Sequence, residues 1–177
     1  MVKPIVLAIG IIHAIIAILI VIPLITKSDI PFSAANPNDS FEIEYTKHQL
    51  KKISYSVTDR IGAQKTEILL IKNNGKIKYS VTEDGYPKPD IEDQIDDKEL
   101  NQLKALIKET GFIAIPSESF PVHENVTDYQ KSNIKIILNG RVNHIHWPEQ
   151  NATDKFIPPI ISLVESKLDK IIEQVGK

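Results

Sequence analysis

The sequence predicts an α+β fold in which two amphipathic helices cover an antiparallel sheet of hairpins, preceded by one N-terminal transmembrane helix. Three observations lead to this fold class: a long uncharged apolar stretch, two Asn-Gly pairs that each separate β-patterned runs, and two stretches with helical apolar periodicity. We therefore divide the 177 residues into a transmembrane anchor at 1–26, a linker at 27–40 and a soluble domain at 41–177.

The transmembrane helix is predicted from residues 4–25, which contain no Asp, Glu, Lys or Arg. A helix of this length spans about 33 Å, and the hydrocarbon core of a bilayer is about 30 Å thick. The alternative is a cleaved signal peptide, but its apolar region is usually only about 7–15 residues long. The length favours a retained signal-anchor, single-pass in the cell membrane and in contact with membrane lipid through residues 4–25.

The side of the membrane on which the domain lies is predicted from glycosylation sequons. Lys3 and Lys27 flank the apolar stretch and give little positive-inside bias. Asn-X-Ser/Thr sequons at Asn38, Asn125 and Asn151 are typical of surface loops in secreted proteins. They favour a C-terminal domain outside the cytoplasm.

The first half of the domain is predicted to be β-structure. Apolar residues alternate within 41–45 and 53–57, and again on both sides of Asn74-Gly75 within 67–81. An Asn-Gly pair between two such runs predicts a tight hairpin, because both residues tolerate positive φ.

An acidic segment at 83–97 leads into the first predicted helix. A calcium loop is one alternative for this segment, but it lacks the required ligand spacing, so a solvated loop is favoured. Asp96, with Glu99 three residues later, predicts the start of the helix, and Gly111 predicts its end. Leu100, Leu103, Leu106 and Ile107 are predicted to form its apolar face, with Lys104 and Lys108 pointing away from it.

The second half of the domain repeats this order. After an irregular segment at 117–128, apolar residues alternate on both sides of Asn139-Gly140, within 134–147. Pro159 suits the first turn of a final helix. The predicted apolar stripe of that helix comprises Ile160, Leu163, Val164, Leu168, Ile171 and Ile172.

His144 and His146 are the candidate metal ligands. Residues two apart on a strand share a face, so both imidazoles could reach one ion, and His123 and Asp128 are candidate third and fourth ligands. The alternative is an ordinary solvent-facing pair, because Ile145, between them, is typical of a core position.

Composition and missing motifs exclude several functions. The 21 basic and 23 acidic residues give a net charge of −2, which argues against nucleic-acid binding. The chain has no Cys, no nucleophile elbow and no glycine-rich phosphate loop. We therefore predict no enzyme activity, no catalytic or cofactor-binding residue and no cofactor; a hydrolase is the remaining enzyme class to test.

The order of elements over residues 53–172 resembles the emfourin-like proteins, a family named after a small inhibitor of thermolysin-like metalloproteases. The matching pieces are Arg60-Ile61-Gly62-Ala63, Asn74-Gly75, Leu100 to Ile107, Thr110-Gly111-Phe112, Ile115-Pro116, Asp128-Tyr129, Gly140-Arg141 to Trp147 and the C-terminal helix. The sequence departs from the family at Asp59-Arg60, where paired Gly is usual, in its longer acidic segment, and in its N-terminal apolar stretch. The resemblance implies a similar fold and an inhibitory function, but it transfers no inhibitory residue.

These observations predict a membrane-anchored, extracytoplasmic, non-catalytic binding domain. Its expected partner is another envelope or secreted protein, contacted through the segments 83–97 and 117–128, because binding residues concentrate on loops held by a rigid scaffold. The alternative function is a metal-binding or sensory domain that uses His144 and His146.

Overall fold

A computed structural model describes residues 35–36, 38–55, 58–117 and 120–176. They form one antiparallel sheet with two α-helices. The strands are β1 (Phe41–Tyr55), β2 (Thr58–Ile71), β3 (Lys76–Glu83), β4 (Tyr86–Pro87), β5 (Ile91–Gln94), β6 (Asp128–Leu138) and β7 (Arg141–Pro148). The helices are α1 (Asp97–Glu109) and α2 (Pro159–Val175), and short 3₁₀ turns lie at Phe112–Ala114 and Gln150–Ala152.

The sheet order is β4-β3-β2-β1-β6-β7, and β5 continues along the same edge of β3 as β4. The central strand β1 pairs with β2 on one side and with β6 on the other, with Ile43 opposite both Ile71 and Ile136. This second pairing joins two hairpin units that are distant in sequence into one continuous sheet.

The predicted fold class, an α+β domain headed by a transmembrane helix, is corrected by this architecture. The domain is a seven-stranded antiparallel sheet with two helices. Among the residues that the structure describes, no helix is long and apolar enough to cross a membrane, so the single-pass membrane classification is corrected to one without support in the described structure. The predicted anchor at 1–26 and most of the linker lie outside the described residues.

Tight turns connect the strands where local sequence allows positive φ. Gly75 has φ +77°, and a Cβ there would lie 2.9 Å from the backbone oxygen of Ile95. Asn139 and Gly140 have φ values of +51° and +78°, as an Asn-Gly hairpin requires. Asp84-Gly85, within the acidic segment, forms a second turn of the Asn139-Gly140 kind, with φ values of +50° and +82°.

Helix α1 begins and ends where the sequence predicts. The Asp96 carboxylate accepts a hydrogen bond from the backbone N–H of Glu99 at 2.6 Å, and Gly111 follows the helix in the left-handed region with φ +64°. The prediction that Lys104 points away is wrong. Its side chain is buried, and Nζ lies 5.9 Å from the centre of the Phe41 ring.

The core lies between one face of the sheet, here called the inner face, and the two helices. Strand residues buried there are Phe41, Ile43, Tyr45, Leu69, Ile71, Ile77, Tyr79, Ile134, Ile136, Leu138, Ile145 and Trp147. Helix α2 contributes Ile161, Val164, Leu168, Ile171 and Val175. The stripe predicted for α2 is therefore partly wrong, since Leu163 is 51% exposed and Ile161 takes its place.

The side chain of Asp39 connects the residues before β1 to helix α1 and to the β6–β7 turn through hydrogen bonds. Its carboxylate accepts hydrogen bonds from Lys108 Nζ at 2.8 Å, Asn139 Nδ2 at 2.7 Å and the backbone N–H of Asn36 at 2.9 Å. Burial alone would raise the pKa of this carboxyl, but the hydrogen bonds from Asn139, Lys108 and Asn36 outweigh it and lower the pKa to about 2.

We expect Asp39 to make stability depend on acid pH. Its folded pKa of about 2 lies below the ordinary value of 3.8, so its contribution is present above pH 4 and is lost as the pH falls towards 2. The expected loss is up to about 2 kcal/mol. Urea unfolding of the wild type and Asp39→Asn at pH 6 and pH 3 measures it. Equal pH dependence in the two proteins would contradict this role.

Candidate protein-binding ribbon

Strands β1 and β2 are longer than the strands beside them. β6 pairs with β1 only as far as Lys51, and β3 pairs with β2 only from Lys65 to Ile71. Beyond these points residues 52–55 pair with 58–61, and Gly62 pairs with Lys51. No other strand of the described chain pairs with residues 52–55 or 58–62. We call these two segments the projecting ribbon.

A β-bulge lies at the root of the projecting ribbon. The register shifts after Gln49, so that Lys65 and Ala63 face consecutive residues of β1 and Gln64 is the extra residue. The Gln64 carbonyl accepts a hydrogen bond from the backbone N–H of Asp84 at 2.7 Å, which ties the bulge to the β3–β4 turn. Bulges bend a strand and increase its twist, so this one sets the direction in which the ribbon leaves the sheet.

The ribbon presents apolar side chains to solvent. Ile61 is 59% exposed, and Ile53 is partly exposed on the opposite strand. A Cβ on Gly62 would lie 3.0 Å from Cδ1 of Ile53, so the missing side chain leaves room for Ile53 to lie across the ribbon. Together with Thr58 and Arg60, these residues line a shallow cleft of about 410 Å³.

The ribbon is cationic. The carboxylate of Asp59 binds Lys52 Nζ at 2.7 Å and accepts a hydrogen bond from Ser54 Oγ at 2.7 Å. The hydrogen bonds from Lys52 and then Ser54 lower the pKa of Asp59. Arg60 is exposed, and no carboxylate in the described ranges pairs with it. The free charge of the ribbon is therefore positive.

Other sheet edges are protected, whereas the ribbon is protected only at its root, where the backbone N–H of Lys52 donates to the carbonyl of Thr127 at 2.6 Å. The β4–β5 edge contains Pro87 and Pro89, which have no N–H to donate. On the β7 edge, the carbonyl of His144 accepts a hydrogen bond from Ser117 Oγ at 2.9 Å. An isolated two-stranded ribbon is only marginally stable in water, and open edges invite pairing with another chain. The ribbon thus has the features of a contact surface.

The acidic segment 83–97, a predicted contact surface, forms more regular structure than expected. It contains β4, β5 and the start of α1. Several of its charges are paired: Asp90 binds Lys78 at 2.8 Å, and Glu83 forms an ion pair with Lys88. Tyr86 is 78% exposed, so the segment still presents one large side chain to solvent.

The other predicted contact segment, 117–128, packs partly against the domain. Phe120 is buried, and Lys155 Nζ lies 5.6 Å from the centre of its ring. The backbone N–H of His123 donates to the carbonyl of Ala152 at 3.0 Å. Residues 118 and 119 lie outside the described ranges. Most of its other described residues are exposed, so its role as a contact surface stays a prediction.

His144 and His146 lie side by side on the face of β7 opposite the core, with ring centroids 6.3 Å apart. The expected further ligands do not join them: His123 lies 3.4 Å from Asp154, and Asp128 accepts a hydrogen bond from Gln49 at 2.6 Å. No group of three or more His, Asp or Glu in the described part of the chain is arranged to hold a metal ion.

The three sequon asparagines, Asn38, Asn125 and Asn151, are all exposed. A glycan could therefore be attached at each without displacing core side chains. Their modification stays a prediction.

The projecting ribbon is not predicted by the sequence pattern. The apolar alternation at 53–57 predicted a strand there, but an alternating pattern does not show whether a neighbouring strand extends equally far. In the structure β1 and β2 contain 15 and 14 residues, against 8 in β3 and 11 in β6, and no local pattern in the sequence shows this difference.

No protein-family model and no curated protein matches this sequence.

Proposed function

We propose that this chain is a non-catalytic binding domain that presents the projecting ribbon to another protein. The proposal rests on one observation: β1 and β2 extend beyond the neighbouring strands β6 and β3. This extension leaves open strand edges beside the exposed side chain of Ile61. Open edges supply backbone hydrogen bonds to an added strand, and alternate side chains supply specificity.

The chemistry of the ribbon defines the expected partner. The register places Ile53 on the same face as Arg60 and Gly62, and Ile61 on the opposite face, beside Lys52. Ile61 requires an apolar contact in the partner, and Arg60 requires a carboxylate. We expect the partner to be an envelope or secreted protein, in keeping with the exposed sequons. A strand edge flanked by an acidic group in that protein would satisfy both the backbone and the side chains of the ribbon.

Site-specific photocrosslinking tests this contact. A benzophenone side chain placed at Ile61 of the full-length chain should give a covalent adduct on irradiation in culture fluid or cell extract. The matched control places the same side chain at Val142, which is also 59% exposed but lies on β7. Equal labelling of the same protein from both positions, or no adduct from Ile61, would contradict the proposal.

A more specific form of the proposal is inhibition of a metalloprotease. The resemblance to emfourin-like domains suggests this partner class, and a ribbon with open edges suits a cleft that binds substrates as extended strands. Increasing amounts of the full-length chain should then reduce the peptidase activity of a thermolysin-like enzyme to zero near equimolar ratio. Unchanged activity at a tenfold excess would exclude that enzyme as the target and leave ribbon-mediated binding to be decided by crosslinking.

A further inference from the structure

We propose that His144 and His146 chelate one divalent transition-metal ion, with Cu²⁺ bound more tightly than Zn²⁺. The site shares no residue with the projecting ribbon, so it stands independently of the proposed binding function. Its support comes from the position of the two rings, the hydrogen bond made by one of them and their surroundings on β6.

The two imidazoles are close to the separation that one ion requires. For two rings that each bind a metal at about 2.0 Å, the ring centroids lie about 4.5–6.4 Å apart, depending on the N–metal–N angle. The observed separation is 6.3 Å, and the rings are inclined by 63°. His144 is exposed and His146 half-buried, so small side-chain rotations can bring both nitrogens to one ion.

Asn133 orients one of the rings. Oδ1 of Asn133 lies 2.6 Å from Nε2 of His144. Because an amide oxygen only accepts, Nε2 carries the proton and Nδ1 retains the lone pair that a metal needs. Metal-binding histidines usually donate their other ring N–H to an oxygen in this way. The pairing of Asn133 with His146 across β6 and β7 holds this amide beside both rings.

The surroundings moderate the affinity of the pair for a cation. Lys131 lies on the same face of β6, close enough for its charge to act on His146. Lys135 lies opposite His144 on β6 and adds a second nearby cation. These lysines repel a metal ion. We therefore expect weak chelation in the Irving–Williams order, with water in the remaining coordination positions.

Calorimetric titration of the full-length chain with CuCl₂ and ZnCl₂ tests the proposal. We expect one Cu²⁺ per chain and weaker Zn²⁺ binding, and we expect the double variant with His144→Ala and His146→Ala to bind neither at this site. Asn133→Leu should weaken binding by about tenfold, because it frees the His144 ring to rotate. The matched control is His48→Ala, whose imidazole lies elsewhere on the same face, beside Thr66.

The outcomes separate this site from non-specific metal uptake. Unchanged binding in the double variant, equal loss in His48→Ala, or no binding to the wild type would overturn the proposal. A second readout on the unmodified protein is NMR: substoichiometric Cu²⁺ should broaden the ring signals of His144 and His146 before those of His48 and His123. Simultaneous broadening of all four would likewise contradict it.

Discussion

Replacing Glu165 with Ala is expected to lower the free energy of unfolding by about 3 kcal/mol, because buried donors on three strands lose a shared acceptor. Oε1 of Glu165 lies 3.2 Å from the Tyr45 hydroxyl and accepts from Ser132 Oγ at 2.7 Å, while Oε2 accepts from Trp147 Nε1 at 3.3 Å. Tyr45, Ser132 and Trp147 are each at most 2% exposed. Without Glu165 these three buried groups lose the carboxylate that they share.

The neighbouring carboxylate of Asp169 makes the loss of unfolding free energy smaller than the sum expected for three separate hydrogen bonds. Asp169 also lies 3.2 Å from the Tyr45 hydroxyl and is held by Lys47 Nζ at 3.1 Å, so Tyr45 keeps an acceptor in the variant. Burial, and then the charges of Glu165 and Asp169, raise the pKa of Tyr45, so its hydroxyl stays protonated and donates.

Two further variants test whether the lost hydrogen bonds of Glu165 cause the destabilisation. Glu165→Gln keeps an amide oxygen as acceptor and should cost about 1 kcal/mol. Glu173→Ala, at an exposed position of the same helix, should change the stability by less than about 0.5 kcal/mol. Urea unfolding measures all three. Equal losses for Glu165→Ala and Glu173→Ala would mean that the network does not anchor α2 to the sheet.

The second large effect is expected at the projecting ribbon. Ile61→Asp should weaken partner binding by about 30-fold or more, because a central apolar contact is typically worth about 2 kcal/mol or more. It should leave the unfolding free energy almost unchanged, because Ile61 is 59% exposed. Arg60→Glu should act mainly through the association rate, which then becomes less sensitive to salt.

Local signals in the sequence predicted local structure well. Asn139-Gly140 forms the expected turn with both residues at positive φ, the hairpin at Asn74-Gly75 forms with only Gly75 at positive φ, and Asp96 caps α1. Each of these turns and caps depends on only a few neighbouring residues, so the local sequence is sufficient to predict it. Asp84-Gly85 carries the same turn signal, but its acidic and proline-rich surroundings suggested a loop.

Features that depend on distant residues were not predictable in this way. The pairing of β1 with β6 creates one sheet from two hairpin units, and the extent of that pairing decides which residues form the ribbon. Lys104 was expected in solvent, but its aliphatic stem lies over the core and its ammonium near Phe41. His123 and Asp128 suited metal binding by type, yet the fold gives them other partners.

The most direct test of the central claim compares capture by three full-length chains: the wild type, Ile61→Asp and Val142→Asp. Val142 is the matched control, since both side chains are 59% exposed. We expect the wild type and Val142→Asp to retain the same stoichiometric partner from native extract and culture fluid. We expect Ile61→Asp to lose this partner while unfolding at the same urea concentration as the wild type. Retention of that partner by Ile61→Asp, or its loss from both variants alike, would contradict binding through the ribbon.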